Sequence, residues 1–152
     1  MAHTRKVVTI TDDAVKDKAD MLADLCGAVF DDFDPAYLTD RLPGLVYPAL
    51  HLITGNEEEP LGFKLGYQRS PTLFYSWLGG VVPGARRLGI AGELMLAQHQ
   101  WAQAHDYTHI ETRTRASNNA MIIRNLKSGF SIVGHEIDGA GRPVITQRIA
   151  LV

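Results

Sequence analysis

The sequence predicts an α/β or α+β protein built on a mixed β-sheet. Three strand-like runs with short, turn-rich joins predict an antiparallel meander. The last of these runs leads into an amphipathic helix and then another strand. We expect such a strand–helix–strand crossover, here over 72–114, to join two parallel strands that are neighbours in the sheet or nearly so. The predicted element order is β-α-α-β-β-β-α-β-α-β-β.

The first third of the chain predicts a strand over 7–10, a helix running to about residue 29, and a short helix over 36–42. Thr11 or Asp12 is a candidate N-cap for the first helix, because either side chain can accept hydrogen bonds from a first turn. The segment 30–35 combines two phenylalanines, three aspartates and a proline, and it ends the first helix. Pro43-Gly44 closes the second.

The strands of the meander are predicted over 45–54, 61–67 and 72–82. A long helix is predicted over 89–105, because apolar residues recur at spacings of four and three. These residues are Ile90, Leu94, Ala97, Trp101 and Ala104. A strand over 108–114, a helix over 117–127 capped by Ser117 or Asn118, and strands over 129–133 and 144–151 complete the prediction.

Composition limits the class of protein. The chain has 152 residues, 45% of them apolar and 21% charged, which fits a single globular domain over 1–152 and excludes a disordered chain. A net charge of −2 excludes a protein held to nucleic acid mainly by charge. The single Cys26 allows no Cys-based metal site, and no apolar run is long enough to span a membrane. We expect a cytoplasmic protein with no metal, no nucleic-acid partner, no membrane partner and no signal peptide.

The segment 77–94 carries the most informative chemistry. A strand ends, Pro83 turns the chain, and a segment rich in glycine and arginine opens the long helix. The N-terminus of a helix can bind phosphate, because its first backbone N–H groups are unpaired and it carries a partial positive charge. Small residues at Gly89, Ala91 and Gly92 allow close approach, and arginines add charge-assisted donors.

Three phosphate-binding motifs compete for this segment. A P-loop requires Gly-Lys-Ser/Thr, which is absent, and a Rossmann fingerprint requires more glycines than Gly89-x-Ala91-Gly92 supplies. The pattern [Arg/Gln]-x-x-Gly-x-[Gly/Ala] is filled by Arg86-Arg87-Leu88-Gly89-Ile90-Ala91. Placed between a strand and a helix, this run resembles the acyl-CoA pyrophosphate motif of the GCN5-related N-acetyltransferase (GNAT) superfamily.

A second segment supports the resemblance. The run from Asn118 to Gly129-Phe130 is similar to that family's second motif, which crosses one helix from an Asn to a Gly-Phe. The segment 75–81 further resembles a poorly characterised branch. The resemblance implies transfer of an acetyl or other acyl group from acetyl-CoA to a primary amine of an unidentified acceptor, by a monomer or homodimer. The alternative is a non-catalytic acyl-CoA-binding or regulatory module.

The resemblance also implies a set of cofactor-binding residues. In that fold two central parallel strands splay apart, and the pantetheine arm enters the gap. Backbone hydrogen bonds would come from the end of the first strand, the pyrophosphate would lie on the arginine- and glycine-rich loop, and two asparagines of the next helix would contact the cofactor. These residues are Leu78, Gly80, Val81 and Val82; Arg86, Arg87, Leu88, Gly89, Ile90, Ala91 and Gly92; and Asn118 and Asn125. Gly79-Gly80 suits a bulge or a close backbone approach.

The candidate catalytic residues depart from the family pattern. Many relatives carry a tyrosine acid five residues before the phenylalanine of Gly-Phe, where this chain has Asn125. An amide can orient a thiol or a water but cannot deliver a proton. The usual carboxylate base is absent from 72–77. Tyr75 and Glu111 are therefore the candidates for proton removal, directly or through water.

The acceptor is expected between the early helices and the meander. Phe30, Asp31, Asp32 and Phe33 form an acidic and aromatic cluster, and three glutamates follow at 57–59. This charge predicts a cationic amine as acceptor, with Tyr75 and Trp77 completing the substrate-binding set. The same cluster is also typical of a solvated loop that stops a helix, and the two strand aromatics are also typical of packing.

Overall fold

The structure is a computed structural model that describes residues 5–152. The expectation of no signal peptide rests in part on Met1–Thr4, which lie outside the described residues. The helices are α1 (Asp13–Lys16), α2 (Ala19–Val29), α3 (Pro35–Thr39), α4 (Ile90–Ala104) and α5 (Asn119–Lys127). The strands are β1 (Lys6–Thr11), β2 (Ala49–Thr54), β3 (Pro60–Ser70), β4 (Leu73–Val81), β5 (His109–Arg115), β6 (Ser131–Ile137) and β7 (Pro143–Ala150).

Residues 5–152 build a seven-stranded sheet in the order β1-β2-β3-β4-β5-β7-β6. The pair β4–β5 is parallel, and every other neighbouring pair in this sheet is antiparallel. The meander is β2-β3-β4, and α4 supplies the crossover to β5. The mixed sheet confirms the predicted fold class.

The parallel strands β4 and β5 separate halfway along β4. They pair from Leu73 with His109 to Ser76 with Thr112. Beyond this point β4 continues beside β3 and β5 continues beside β7. Within residues 5–152 no further β4–β5 pairing occurs, so the end of β4 has one edge open toward a gap.

A β-bulge lies where the two strands separate. Leu65 pairs with Leu78 and Gly66 pairs with Ser76, which leaves Trp77 as the extra residue on β4. Both Trp77 and Leu78 then pack against the core beneath α2 and α3. A bulge bends its strand and increases the local twist, and this bend turns β4 away from β5.

Apolar side chains pack on both faces of the sheet. One face lies against α2 and α3 and contains Leu22, Leu38, Leu50, Phe63 and Leu65. The other lies against α4 and contains Phe74, Met95, Ala102, Ile110 and Phe130. The strand β2 is buried along its whole length because both layers cover it.

The early helices differ from their prediction. The helix expected to run to residue 29 is divided into α1 and α2, and Asp12 (φ 58°) makes no side-chain capping bond. The polar run 16–18 buries no apolar side chain, so a continuous helix there would gain little from packing. The next helix begins one residue early, because Asp34 caps it by accepting a hydrogen bond from the Ala36 N–H. It ends at Thr39, and Leu42–Gly44 forms a separate 3₁₀ turn.

Two other predictions also need correction. The strand predicted from residue 45 begins at Ala49, because Tyr47 has a φ of 45° and Pro48 follows it. On α4 the buried side chains after Leu94 are Met95, Gln98 and Ala102, whereas Ala104 is exposed. In residues 5–152 no helix has the length and hydropathy needed to cross a membrane.

Candidate active site

The loop between β4 and α4 is held in place by its own backbone and by two arginines. A 3₁₀ turn at Pro83–Ala85 follows β4, and the Nε of Arg86 donates to the carbonyl of Val81 over 3.1 Å. From the start of the chain, Arg5 donates to the carbonyl of Leu88 over 2.8 Å and forms an ion pair with Glu93. The loop is therefore braced before any ligand binds.

Two glycines of this loop have different structural explanations. Gly89 is the N-cap of α4 with a φ of 80°, a left-handed conformation that favours glycine. Gly92 lies in the first turn of α4 and is exposed, and a Cβ there would meet no atom of the described chain within 4 Å. Packing does not require a glycine at this second position, so its open face is free for a ligand to approach the helix N-terminus.

Packing explains the glycine at position 80. A Cβ on Gly80 would collide with Val29 Cγ1, so the close approach expected at Gly79-Gly80 is made by α2. The bulge, for which the same two glycines were candidates, lies at Trp77. The other predicted pantetheine contacts, Leu78 and Val81, lie on β4 beyond its last pairing with β5, and Val82 follows directly.

The helix α5 starts on the other side of the gap. The side chain of Asn118 caps it by accepting from the Met121 N–H over 3.2 Å. Asn125 is 3% exposed, and its Nδ2 donates to Gln147 Oε1 over 3.0 Å. This bond ties α5 to β7, so Asn125 has a structural partner at the position where the family resemblance expects a tyrosine.

Tyr75 and Glu111 are register partners on the parallel strands, just before these separate. Glu111 is 7% exposed, and Arg148 Nε donates to its Oε1 over 2.8 Å. Both hydrogen bonds from Arg148 go to Oε1, and Oε2 has no partner in residues 5–152. Burial raises the pKa of Tyr75 to about 12, so its phenol stays protonated at neutral pH.

An open cavity of about 620 Å³ lies on the α3 side of the sheet beside this pair. Its lining includes Tyr37, Asp40, Arg41, Tyr67, Gln68, Arg69, Tyr75, Trp77 and Arg113. Tyr75 and Trp77 were predicted to contact an acceptor, and both line it. The Nε1 of Trp77 donates to the Tyr37 hydroxyl over 3.0 Å, so the cavity wall is connected by a hydrogen bond.

The acidic and aromatic cluster that was predicted to bind the acceptor does not contribute to the lining of this cavity. Phe30, Asp31, Asp32 and Phe33 do not line it, nor do the glutamates at 57–59. The reason is that α2 ends where Val29 packs on Gly80, near the far end of β4, and the loop departs from there. The cavity instead receives Tyr37 and Arg41 from α3 and its C-terminal end.

A buried polar cluster lies on the opposite face, under α4. His51 and Gln98 are almost fully buried, and their side chains find no hydrogen-bond partner in residues 5–152. Lys64, the register partner of His51, donates to Ser76 Oγ over 3.3 Å. Burial lowers the pKa of His51 to about 4 and that of Lys64 to about 8. Across the described residues, no group of three or more His, Cys, Asp or Glu side chains is arranged to hold a metal ion.

The seven-stranded mixed sheet with its parallel β4–β5 pair matches the acyl-CoA N-acyltransferase fold seen in solved GNAT structures. No protein-family model and no curated protein sequence matches the chain. Solved structures do match it. The ribosomal-protein-S18-alanine N-acetyltransferase from Escherichia coli is 12% identical, with a TM-score of 0.78 over 97% of this chain and 94% of that chain.

Two further solved structures show the same architecture. The NatC complex bound to Gag peptide and CoA is 15% identical, with a TM-score of 0.71 over 97% of this chain and 99% of that one. Nourseothricin acetyltransferase is 17% identical, with a TM-score of 0.62, and the match covers 69% of this chain. The chain spans only 66% of that enzyme's length. At these identities the likeness is one of fold.

Proposed function

We propose that this protein transfers an acetyl group, or a related acyl group, from acetyl-CoA to a primary amine. The observation that carries the proposal is the separation of β4 from β5 after Ser76, which opens a gap leading to the N-terminus of α4. A gap between parallel strands exposes backbone hydrogen-bonding groups to a ligand. The fold neighbours support the assignment, since two of those reported above are acetyltransferases by name and the third was solved with CoA.

The proposed cofactor site follows the loop and the open edge of β4. The backbone of Leu78 to Val82 would bind the pantetheine arm. The pyrophosphate would lie over the first turn of α4, where N–H groups are unpaired, Gly92 leaves open space and Arg87 supplies charge. Asn118 is proposed as a contact on the α5 side, through the amide nitrogen that its capping bond leaves unused.

In the proposed reaction a neutral amine attacks the thioester carbonyl carbon. A C–N bond forms, the C–S bond breaks, and CoA leaves as a thiolate that must gain a proton. We assign proton removal from the amine to Glu111 through a water molecule, because its Oε2 carries no other hydrogen bond in the described chain. Tyr75, protonated at neutral pH, suits hydrogen-bond donation better than proton removal.

The alternative is a domain that binds acyl-CoA without catalysis. Asn125 favours this alternative, because its amide is committed to Gln147 and cannot protonate a leaving thiolate. In either case we propose one domain, monomeric or homodimeric, in the cytoplasm and without a metal.

The first test is isothermal titration calorimetry with acetyl-CoA, followed by measurement of thiol release with a panel of amines. We expect micromolar binding and amine-dependent release of CoA. Binding without thiol release from any amine would support the non-catalytic alternative. A well-folded protein that does not bind acetyl-CoA would overturn both.

A further inference from the structure

We propose that the acceptor carries an anionic group, a carboxylate or a phosphate, in addition to its amine. The inference rests on the proposed function and names the substrate class of the same site. It comes from the cavity beside Tyr75. Among residues 5–152, its lining contains the three arginines Arg41, Arg69 and Arg113 and one acidic side chain, Asp40. This local excess of positive charge occurs in a chain whose net charge is −2.

The three arginines come from three separate elements. Arg41 follows α3, Arg69 lies near the end of β3, and Arg113 lies on β5. Their convergence on one cavity is therefore a product of the tertiary fold and not of a local run of basic residues. Guanidinium groups present planar, paired donors that match carboxylate and phosphate oxygens.

Two of these guanidinium groups are oriented by aromatic rings. The Cζ of Arg41 lies 4.1 Å from the ring centroid of Tyr37, and the Cζ of Arg69 lies 4.0 Å from that of Tyr75. Arg41 also donates to the Tyr37 carbonyl over 3.0 Å. Stacking on a ring limits the motion of the side chain while leaving the guanidinium edge available for hydrogen bonds.

The three arginines also differ in whether a carboxylate neutralises their charge. Within residues 5–152 no carboxylate lies within 4.0 Å of Arg41 or Arg69, although Asp40 is the chain neighbour of Arg41. Arg113 pairs with Glu136 at 2.6 Å, but its Nε is buried without a hydrogen-bond partner. An incoming anion would therefore find unpaired positive charge at Arg41 and Arg69.

The cavity also lies next to the point where β4 and β5 separate, which is where the acyl transfer is proposed to occur. The cavity includes Tyr75, the register partner of Glu111, at the position where β4 and β5 separate. An acceptor bound there by its anionic end would hold its amine next to the gap in which the thioester is proposed to lie. The arginines would thus select the substrate and align it with the proton acceptor.

The test compares molecules that share an aminomethylphenyl group and differ in the substituent opposite the amine. We would measure binding of 4-(aminomethyl)benzoate, 4-(aminomethyl)benzamide and 4-(aminomethyl)phenyl phosphate by calorimetry, in the presence of saturating CoA. At least one of the two anions is expected to bind at least tenfold more tightly than the benzamide. Comparison of benzoate with phosphate distinguishes the two anionic classes.

Arginine variants test the source of this preference. Arg41→Gln and Arg69→Gln should each reduce the ratio of anion to benzamide affinity at least threefold. Lys6→Gln, which removes one positive charge from an exposed position on β1, should leave it unchanged. Thermal unfolding of each variant confirms that the fold is retained, and two independent arginines protect the test if one variant does not fold.

Failure of this inference is separable from failure of the proposed function. Equal affinity for anion and benzamide, tighter binding of the benzamide, no binding of any probe, or a preference that survives both arginine variants would each overturn the anionic acceptor. The proposed function is tested separately, by measuring acetyl-CoA binding and amine-dependent thiol release.

Discussion

The glycine at position 92 provides the sharpest test of the proposed pyrophosphate site. Gly92 is exposed in the first turn of α4, and a side chain there would meet nothing in the described chain within 4 Å. A glycine within a helix costs roughly 0.5–1 kcal/mol relative to alanine. Replacing Gly92 should therefore stabilise the free protein, while placing new atoms where the cofactor is proposed to bind.

Two substitutions separate charge from size. Gly92→Gln should raise stability by about 0.5 kcal/mol through helix propensity, and Gly92→Glu by about 1 kcal/mol, because a carboxylate near a helix N-terminus adds to this gain. For a domain of this size, 1 kcal/mol corresponds to roughly 2–4 °C in Tm. Both variants are expected to unfold at a higher temperature than the wild type.

The effect on acetyl-CoA should have the opposite sign. A carboxylate about 5 Å from two phosphate charges, at the high effective dielectric of an exposed site, costs about 2 kcal/mol or roughly 30-fold in affinity. The glutamine variant has nearly the same size and lacks this charge. The affinity ratio between the Gln and Glu variants therefore measures the electrostatic part alone, and it should shrink as salt concentration rises.

The assay is titration calorimetry with acetyl-CoA, combined with scanning calorimetry of the free protein. Gly27→Ala is the matched control, because Gly27 is an exposed helical glycine of α2 whose Cβ would also meet nothing within 4 Å. It should raise Tm and leave affinity unchanged. If Gly92→Glu binds acetyl-CoA as well as Gly92→Gln does, the pyrophosphate does not lie over this turn. Gly89 is less suitable for such a test, because its φ of 80° strains any substitution there.

Three further predictions follow from the packing and the proposed chemistry. Because burial lowers the pKa of His51 to about 4 from 6.5, the unfolded chain takes up a proton at this side chain between those pH values and the folded chain does not. His51 should thus account for a fall in stability of about 2 kcal/mol from pH 7 to pH 5, beside a similar contribution from buried His99, whose pKa is also lowered to about 4. In urea denaturation His51→Leu should remove the His51 part of this loss, and an unchanged pH dependence would contradict the assignment. Gly80→Ala should lower the free energy of unfolding by about 1–3 kcal/mol, because its new methyl group would collide with Val29, and by less in a Val29→Ala background. If the losses from the two substitutions simply add in a double-mutant cycle, the contact between residues 80 and 29 is refuted. Glu111→Gln should lower kcat by about a hundredfold or more, with Tyr75→Phe as the comparison. If both variants keep the wild-type rate, neither residue removes the proton.

The loop that joins β4 to α4 could be predicted because its sequence signal is local. Pro83, the arginines and Gly89 act on the backbone within a few residues of themselves, and the spacing to α4 is set by the chain alone. The cap of α5 was predictable for the same reason, since Asn118 bonds to an N–H three residues away. The parallel pairing of β4 with β5 followed from the crossover between them.

The lining of the cavity beside Tyr75 was not predictable in this way. Arg41, Arg69 and Arg113 lie 28 and 44 residues apart in sequence, and each by itself resembles an ordinary surface arginine. The acidic cluster at 31–34 gave the more conspicuous local pattern and led to the opposite expectation for the charge of the acceptor. The packing of α3, β3 and β5 around one cavity decides which charges face Tyr75.

The sequence alone determined the class of fold, the order of its main elements and the loop that opens α4. These features are predictable because hydrophobic periodicity, turn residues and helix caps act over short distances. The tertiary structure decided where β4 leaves β5, since the bulge at Trp77 depends on register with β3. It also decided which side chains surround the proposed site. Register and convergence are properties of several packed elements at once, and no single segment of the chain contains them.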